Sequence, residues 1–397
     1  METKELSLSD IAYLPIDLLS HILPFVGFLS ELNANGVDFD IYGTKSAISN
    51  GLDKLGKNHF EFEELDDNKD VGLIRLFRTT YQGFLNFIPA IEAIWQERQK
   101  KPKLIIADMF TADAVYLAKK HKIPLLVLYS SYFVQDLIGP WKEDIDPTLS
   151  VKRSESLVHL EKEVEEKYGV SIKCLRDIFI RGDHNISCLS KFIGDLTTLE
   201  KEDCSYLGPA LRDESKSELL DVDPSFLKDN NLIYVSLGTA QPNIAGFSLY
   251  ESIIEALKDS EHKVLISAMM GKAEELNAKV LPKNIVVRSW VPQMKILEHS
   301  KLFISHVGAG GLMEALSKGV PIIAVPNTAD QPANARVVEM LNVGRWLKEK
   351  TPQDIKKLIA DVLANENIKA SCQKIMNLID PQASKRQFVK TVRLLMK

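Results

Sequence analysis

Short apolar runs alternate along the chain with longer segments whose apolar positions recur every three or four residues. Ile11–Leu14, Phe39–Tyr42, Leu104–Ala107 and Leu125–Tyr129 predict buried strands, and Leu23–Leu32 and Thr111–Lys120 predict helices between them. The pattern returns in the second half. There Leu232–Leu237, Lys263–Ser267, Ile285–Val287, Leu302–Ser305 and Ile322–Val325 predict strands, with helices over Ser248–Leu257, Gly311–Lys318 and Ala333–Leu341. Strands and helices that alternate with short connections build parallel sheets covered on both faces. The expected fold class is α/β, with two doubly wound parallel-sheet domains.

The segment 211–231 (LRDESKSELLDVDPSFLKDNN) interrupts this pattern, being charged and poor in aromatic residues, and reads as an inter-domain linker. It divides the chain into a first domain, 1–210, and a second, 232–380, with a last helical segment over 381–397. Trp141–Lys173 is rich in Glu and Lys and reads as a helical excursion with a solvated face. In open parallel sheets ligands bind at the carboxyl ends of strands, so functional residues are expected just after strands.

Composition narrows the classes of function. The 397 residues carry 49 Lys+Arg against 54 Asp+Glu, a net charge of −5, which argues against nucleic acid as a partner. No apolar run approaches the roughly 18–20 residues that span a bilayer, so no transmembrane anchor is expected. The start carries Glu2, Glu5 and Asp10 and does not read as a secretory signal. Cys174, Cys188, Cys204 and Cys372 are widely spaced and form no CxxC pair, which predicts reduced thiols in a cytoplasmic protein and no zinc site. Two Asp-x-Asp pairs, Asp144–Asp146 and Asp221–Asp223, lie in charged surroundings and read as chance, so no metal is expected.

The densest chemistry lies between Trp290 and Gln331. The strand ending at Ser305 runs into His306, then Gly308, Gly310 and Gly311, and then a helix. A glycine-rich turn at a helix N-terminus presents backbone N–H groups and the positive end of the dipole, which suits a phosphate. His306 can add a hydrogen bond to the same oxygens. Glu314, expected on the first helical turn, can accept from ribose hydroxyls, and Trp290 offers a flat face to a base. Each feature alone has an ordinary structural reading: a tight turn, a satisfied polar side chain, a core tryptophan. A dinucleotide site is disfavoured, because a G-x-G-x-x-G begun at Gly308 would place its third glycine at Met313.

In order and spacing these residues resemble the nucleotide-sugar signature of the family 1 UDP-glycosyltransferases, the pattern W-x-P-Q, H-x-G, E, G-V-P, P and D-Q. Tyr234–Thr239 (YVSLGT) resembles the strand and phosphate loop that open the donor domain there, and Leu207–Ala210 (LGPA) the G-P before the linker. The whole chain is similar to the bacterial macrolide-type branch. The resemblance implies the GT-B fold, two facing Rossmann-like domains with a cleft between them. The acceptor domain comes first, the UDP-sugar domain second, and the last helix packs back on the first. It implies that Trp290 stacks on uracil, Val291 contacts it through its backbone, and Gln293 and Glu314 hold the ribose. Thr239, His306, Gly308, Gly310 and Gly311 would form the diphosphate site, and Asp330 and Gln331 would hold sugar hydroxyls. Most relatives have Asn-Ser where this chain has Gly310–Gly311, which keeps the backbone donors and removes two side-chain contacts.

Leu19-Ser20-His21-Ile22-Leu23-Pro24 resembles the family's G-H-x-N-P turn, with Ser20 for Gly and Leu23 for Asn. By that likeness His21 projects from a loop as the base that deprotonates the acceptor. Pro24 falls in the first turn of a helix, and Asp108 holds the far imidazole nitrogen. Asp113, the neighbouring carboxylate, is expected to face solvent or cap its helix. Ser130 falls where relatives place a hydroxyl or backbone contact near the sugar. By the resemblance the acceptor pocket is expected among the aromatic positions Phe25, Phe84, Phe87, Phe110 and Tyr132, which could equally be core, together with Ser130. Such a lining fits a small hydrophobic or phenolic acceptor.

The function so implied is inverting transfer of a hexose, glucose by default, from a UDP-sugar to such an acceptor. It uses no cofactor beyond the co-substrate, in a monomer or weak dimer. Two other readings stay open: another UDP-sugar enzyme of the same fold (an epimerase or a lipid-linked glycosyltransferase), and a non-catalytic nucleotide-sugar binding protein.

Overall fold

The central strands of the first half, Ile11–Leu14, Leu104–Asp108 and Leu125–Tyr129, are buried on both faces, because each face meets helices. In the computed structural model, Ile11, Tyr13, Leu104, Ile106, Leu126 and Leu128 point into one core, with Phe25, Phe28 and Leu29 of the helix Leu19–Ala34. Their sequence neighbours Ala12, Leu14, Ile105, Ala107, Val127 and Tyr129 point into a second core, with Phe77, Tyr81, Phe84 and Trp95. Successive side chains of a strand alternate between faces, which is why an unbroken apolar run is needed here. The structure describes residues 7–397 apart from 50, 64–72, 140, 145–153, 200, 213–221, 224–225, 229–230, 239–246, 269–270 and 328–329.

The chain divides into two units, Met1–Ala210 with Pro381–Lys397, and Leu211–Asp380. Among the described residues, the first unit holds β1 (Ile11–Leu14), β2 (Asp40–Thr44), β3 (His59–Phe62), β4 (Leu104–Asp108), β5 (Leu125–Tyr129), β6 (His184–Ser187) and β7 (Cys204–Tyr206). They form one parallel sheet in the order β3-β2-β1-β4-β5-β6-β7. The second unit holds β8 (Leu232–Ser236), β9 (Lys263–Ser267), β10 (Ile285–Arg288), β11 (Ser300–Ser305), β12 (Ile322–Ala324) and β13 (Gly344–Trp346). Their order is β10-β9-β8-β11-β12-β13, again parallel throughout. In each sheet the order reverses at one point, between β1 and β4 in the first and between β8 and β11 in the second. Loops leaving neighbouring strands there turn to opposite faces and open a crevice at the carboxyl ends.

The last helix, Pro381–Leu395, belongs to the first unit. Phe388 packs its ring 4.8 Å from that of Phe28, Ser384 Oγ donates to the Leu207 carbonyl at 2.6 Å, and Arg393 donates to the Asn35 carbonyl at 2.9 Å. The excursion after Trp141 contains the helix Glu155–Tyr168, capped by Ser154, whose Oγ accepts from the Leu157 N–H at 3.3 Å. Leu157 and Val164 on its inner face are buried against the first unit's core, so the helix is docked on one side and solvated on the other.

Four strands fall outside the apolar runs. β3 is half-exposed with alternating burial, while β6, β7 and β13 are three or four residues long and mix polar with apolar positions. β13 fits at its edge only because residue 344 is glycine: a Cβ there would lie 1.8 Å from the Ile322 carbonyl oxygen.

Candidate active site

At the reversal point of the first sheet, Asp108 ends β4, and its side chain is only 4% exposed. Its Oδ2 lies 2.9 Å from Nδ1 of His21, and its Oδ1 accepts the Phe110 N–H at 2.9 Å. Both carboxylate oxygens are thus engaged, which fixes the plane of the group. The His21 side chain is 13% exposed, and its ring lies 4.9 Å from that of Phe110, tilted by 32°. The Ser130 hydroxyl, just beyond β5, comes within 3.3 Å of the same Nδ1. An imidazole held at Nδ1 by a carboxylate has Nε2 as its other functional nitrogen, and its tautomer is set by the partner.

His21 does not project from a loop. The helix begins at Leu19, so His21 stands in its first turn, where its N–H donates to the Leu18 carbonyl at 2.8 Å. Pro24 consequently falls past the first turn, inside the helix rather than at its start. With Ser20 in place of glycine, the turn has no conformational reason to delay helix formation.

The aromatic candidates separate by location. Phe110 lies against His21, and its ring is 4.8 Å from that of Phe179. Phe87 is half-buried and stacks on Phe62 at 4.9 Å. Phe25, Phe84 and Tyr132 are buried, Phe25 and Phe84 within the two cores described above.

Asp113 neither faces solvent nor finds a partner for both oxygens. It is buried, its Oδ2 has no hydrogen-bond partner, and its carboxyl packs on Gly83, where a Cβ would lie 3.0 Å from Cγ. Gly83 opens a single π-helical turn, Gly83–Phe87, that faces this carboxyl. Burial pushes the Asp113 carboxyl up to about 7, against the pull of the Asp113 and Ala114 backbone N–H groups.

At the reversal point of the second sheet the chemistry differs. Gly238 follows β8 with φ +91, and a Cβ there would lie 2.8 Å from Nε2 of His306, which follows β11. A Cβ at Gly308 would lie 2.9 Å from the same nitrogen. The imidazole is therefore seated against two glycine backbones, with Nδ1 at 3.5 Å from the Ser236 carbonyl oxygen. Burial holds the His306 imidazole below its usual range, while the Ser236 carbonyl and the charge of Asp330 work the other way.

Between His306 and Gly308, Val307 adopts φ 55, a left-handed conformation that is strained for a β-branched residue. Such strain costs of order 1–3 kcal/mol and persists where the surroundings impose it. Here the Val307 N–H donates to Ser305 Oγ at 3.0 Å, and Asn334 Nδ2 donates to the Val307 carbonyl at 2.8 Å. Asn334 also donates to Asp330 Oδ2 at 3.1 Å, so one amide holds the turn and the carboxylate together. Gln331 is tied locally, its Oε1 accepting the Asn327 N–H at 2.8 Å.

The helix after this turn is Ala309–Ser317, with Gly308 as N-cap and no side-chain cap. Gly310 and Gly311 thus lie inside its first turn, whose leading N–H groups lack partners within the helix. Because the helix starts earlier than the apolar pattern suggests, Glu314 sits in its second turn rather than its first. A Cβ at Gly311 would make only ordinary contact, 3.5 Å from Gln293 Nε2. Trp290 stands on the connection after β10 and is 60% exposed, whereas its neighbour Val291 is buried. Thr239 lies outside the described residues.

Gln293 Nε2 donates to Glu314 Oε2 at 2.6 Å, and Gln293 Oε1 accepts from the buried Tyr234 hydroxyl at 3.1 Å. Arg212 Nη2 lies 2.9 Å from Glu314 Oε1. Sequence reasoning singled out neither Arg212 nor Asn334, and took Tyr234 only as the first residue of the strand-and-loop segment YVSLGT. Arg212 lies in the charged segment read as a linker, Tyr234 is one residue of an apolar strand, and Asn334 sits within a helix.

A family model described as UDP-glucoronosyl and UDP-glucosyl transferase matches residues 162–384. The chain belongs to this family. It is a UDP-glycosyltransferase, and the family relationship implies a UDP-sugar donor. NDP-glycosyltransferase YjiC of Bacillus subtilis (strain 168) is 29% identical over 288 residues, 72% of this chain and 70% of that protein. Demethyllactenocin mycarosyltransferase of Streptomyces fradiae is 23% identical over 385 residues, 91% of this chain and 81% of that protein. Among solved structures, the glycotransferase of kitacinnamycin aligns with a TM-score of 0.77 at 18% identity, covering 98% of this chain and 99% of that one. The UDP-glucose: anthocyanidin 3-O-glucosyltransferase in complex with UDP aligns with a TM-score of 0.72 at 17% identity, covering 99% of each chain. At these identities it is the fold that is shared, and it is GT-B, with two Rossmann-like parallel-sheet units. No described helix is long and apolar enough to cross a membrane.

Proposed function

We propose that this UDP-glycosyltransferase moves a hexose, glucose as the first choice, from a UDP-sugar to a hydroxyl of a small apolar or phenolic acceptor, with inversion at the anomeric carbon. His21 is the general base, oriented by Asp108. The observation that carries this reading is the 2.9 Å contact between His21 Nδ1 and a buried Asp108 at the reversal point of the first sheet. With Nδ1 engaged, Nε2 takes the acceptor proton as the oxygen attacks, and Asp108 stabilises the imidazolium that forms. Ser130 and Phe110 limit the motion of the ring.

In the second unit Trp290 offers its exposed face to uracil, and Glu314 accepts from the ribose. The N–H groups at the start of Ala309–Ser317 and His306 meet the charge that grows on the leaving diphosphate. Asp330 and Gln331 orient the sugar, since a carboxylate can accept from two neighbouring hydroxyls. This assignment involves no metal. The anthocyanidin enzyme, by its description, takes UDP-glucose, which makes that sugar the first donor to assay.

The test is UDP release from UDP-glucose in the presence of a panel of phenols and macrolides, with the anomeric configuration of the product read by NMR. Acceptor-dependent release giving a β-glucoside is the expected result. Product with retained α configuration, or UDP release indifferent to every acceptor, would overturn the proposal.

A further inference from the structure

Glu314 is held from two sides. Gln293, itself oriented by Tyr234, donates to Oε2, and Arg212 donates to Oε1. The Arg212 side chain is 17% exposed and that of Glu314 12%, so this ion pair is largely withdrawn from water without being sealed. An enclosed charge of this kind is stable only when it is paired and hydrogen-bonded. Donors on different oxygens also prevent the carboxylate from rotating about its last bond. A carboxylate offers about four acceptor positions, two on each oxygen, so a donor on each oxygen does not of itself exhaust either.

We propose that Arg212 is a positioning residue for nucleotide recognition: it locks the plane of the Glu314 carboxylate, so that the enzyme favours nucleotides with an intact ribose diol over 2′-deoxyribonucleotides. A carboxylate free to turn adapts to a single hydroxyl almost as well as to two, whereas a fixed one rewards the pair. Arginine suits the role because its planar fork holds an orientation that the ammonium of lysine, a point charge, does not. The inference rests on the reading of Glu314 as the ribose acceptor. Arg212 lies next to the boundary between the units, so the residue that sets the carboxylate comes from the start of the second unit and not from the signature segment itself.

The experiment compares dissociation constants for UDP and 2′-deoxy-UDP in the wild-type protein, Arg212→Ala, Arg212→Lys and Glu314→Ala, with thermal unfolding as a check on folding. Wild type should prefer UDP by about tenfold, the equivalent of one good hydrogen bond. Arg212→Ala should lose most of that preference by weakening UDP while leaving 2′-deoxy-UDP nearly unchanged. Arg212→Lys should restore melting temperature without restoring the preference, and it carries the comparison if the alanine variant does not fold. If Glu314→Ala keeps the wild-type preference, the ribose reading itself is wrong. If Glu314→Ala abolishes the preference and the Arg212 variants retain it, the ribose reading stands and the role of Arg212 is refuted. Equal weakening of both nucleotides in Arg212→Ala refutes it as well.

Discussion

The six strands of the second sheet repeat the order of the first six of the first sheet, reversal point included, yet the two sheets use that point for different chemistry. In the first, the neighbouring strands β1 and β4 bring His21 and Asp108 into one hydrogen bond, with little of either side chain exposed. In the second, the neighbouring strands β8 and β11 bring Gly238 and His306 together with the imidazole seated mostly on backbone, and the same sheet carries an exposed tryptophan after β10. The contrast follows from the tasks proposed for them. A proton-transfer pair must be enclosed so that one carboxylate sets one tautomer, whereas a nucleotide site must present unpaired N–H groups and an open ring. The cost is also stored differently. The second site keeps a strained Val307 in place with Ser305 and Asn334. The first keeps a buried carboxyl, Asp113, with one oxygen unpartnered, in the helix that follows the strand ending at Asp108.

The largest effect expected from breaking this contrast is at Asp108. Asp108→Asn should lower acceptor-dependent turnover by about 10²–10⁴, the usual worth of general base help. Steady-state kinetics with saturating UDP-sugar would show it, and a loss below tenfold would mean that Asp108 only supports the fold.

Asp113 comes next, and its effect is on stability. Its carboxyl is raised from 3.8 to about 7 in the folded protein. Between those values the folded chain holds a proton that the unfolded chain has lost, so stability falls as pH rises through the window. The shift corresponds to a loss of up to about 4 kcal/mol by pH 7 and above. Asp113→Asn cannot ionise, so its urea-unfolding free energy should fall less between pH 5 and pH 7.5 than that of wild type. Identical slopes for the two proteins would show that the carboxylate is accommodated after all.

Trp290→Ala should act on binding alone. Loss of a stacking face is worth about 1–3 kcal/mol per base, so UDP should bind roughly 5- to 150-fold more weakly. Unaltered affinity by calorimetry would place the base elsewhere.

How much of this could be read from the sequence varied with the range of the interactions involved. The long apolar runs located the central strands within a residue or two, because burial on both faces demands them. β6 was hidden because it carries a single bulky apolar residue, Ile186, and β7 and β13 because three residues carry no period. The signature segment singled out Trp290, His306, Glu314 and Asp330 as candidates, since glycines, a strand end and a helix start lie close together in the chain. Partners from distant segments left no local trace. Arg212 reaches Glu314, Tyr234 reaches Gln293, and Asn334 reaches Val307, each across a separation that no spacing rule covers. The burial of Asp113 was hidden for a related reason. A carboxylate in the first turn of a helix is ordinarily a solvated cap, and only the packing of Gly83 against it shows the burial.

The central claim is the division of labour between the two reversal points, and His21→Ala tests it most directly when turnover and binding are measured on the same preparation. The expected result is acceptor-dependent UDP release reduced by about 10²–10⁴ with an unchanged dissociation constant for UDP. Turnover that survives the substitution, or UDP affinity that falls in step with turnover, would contradict the account.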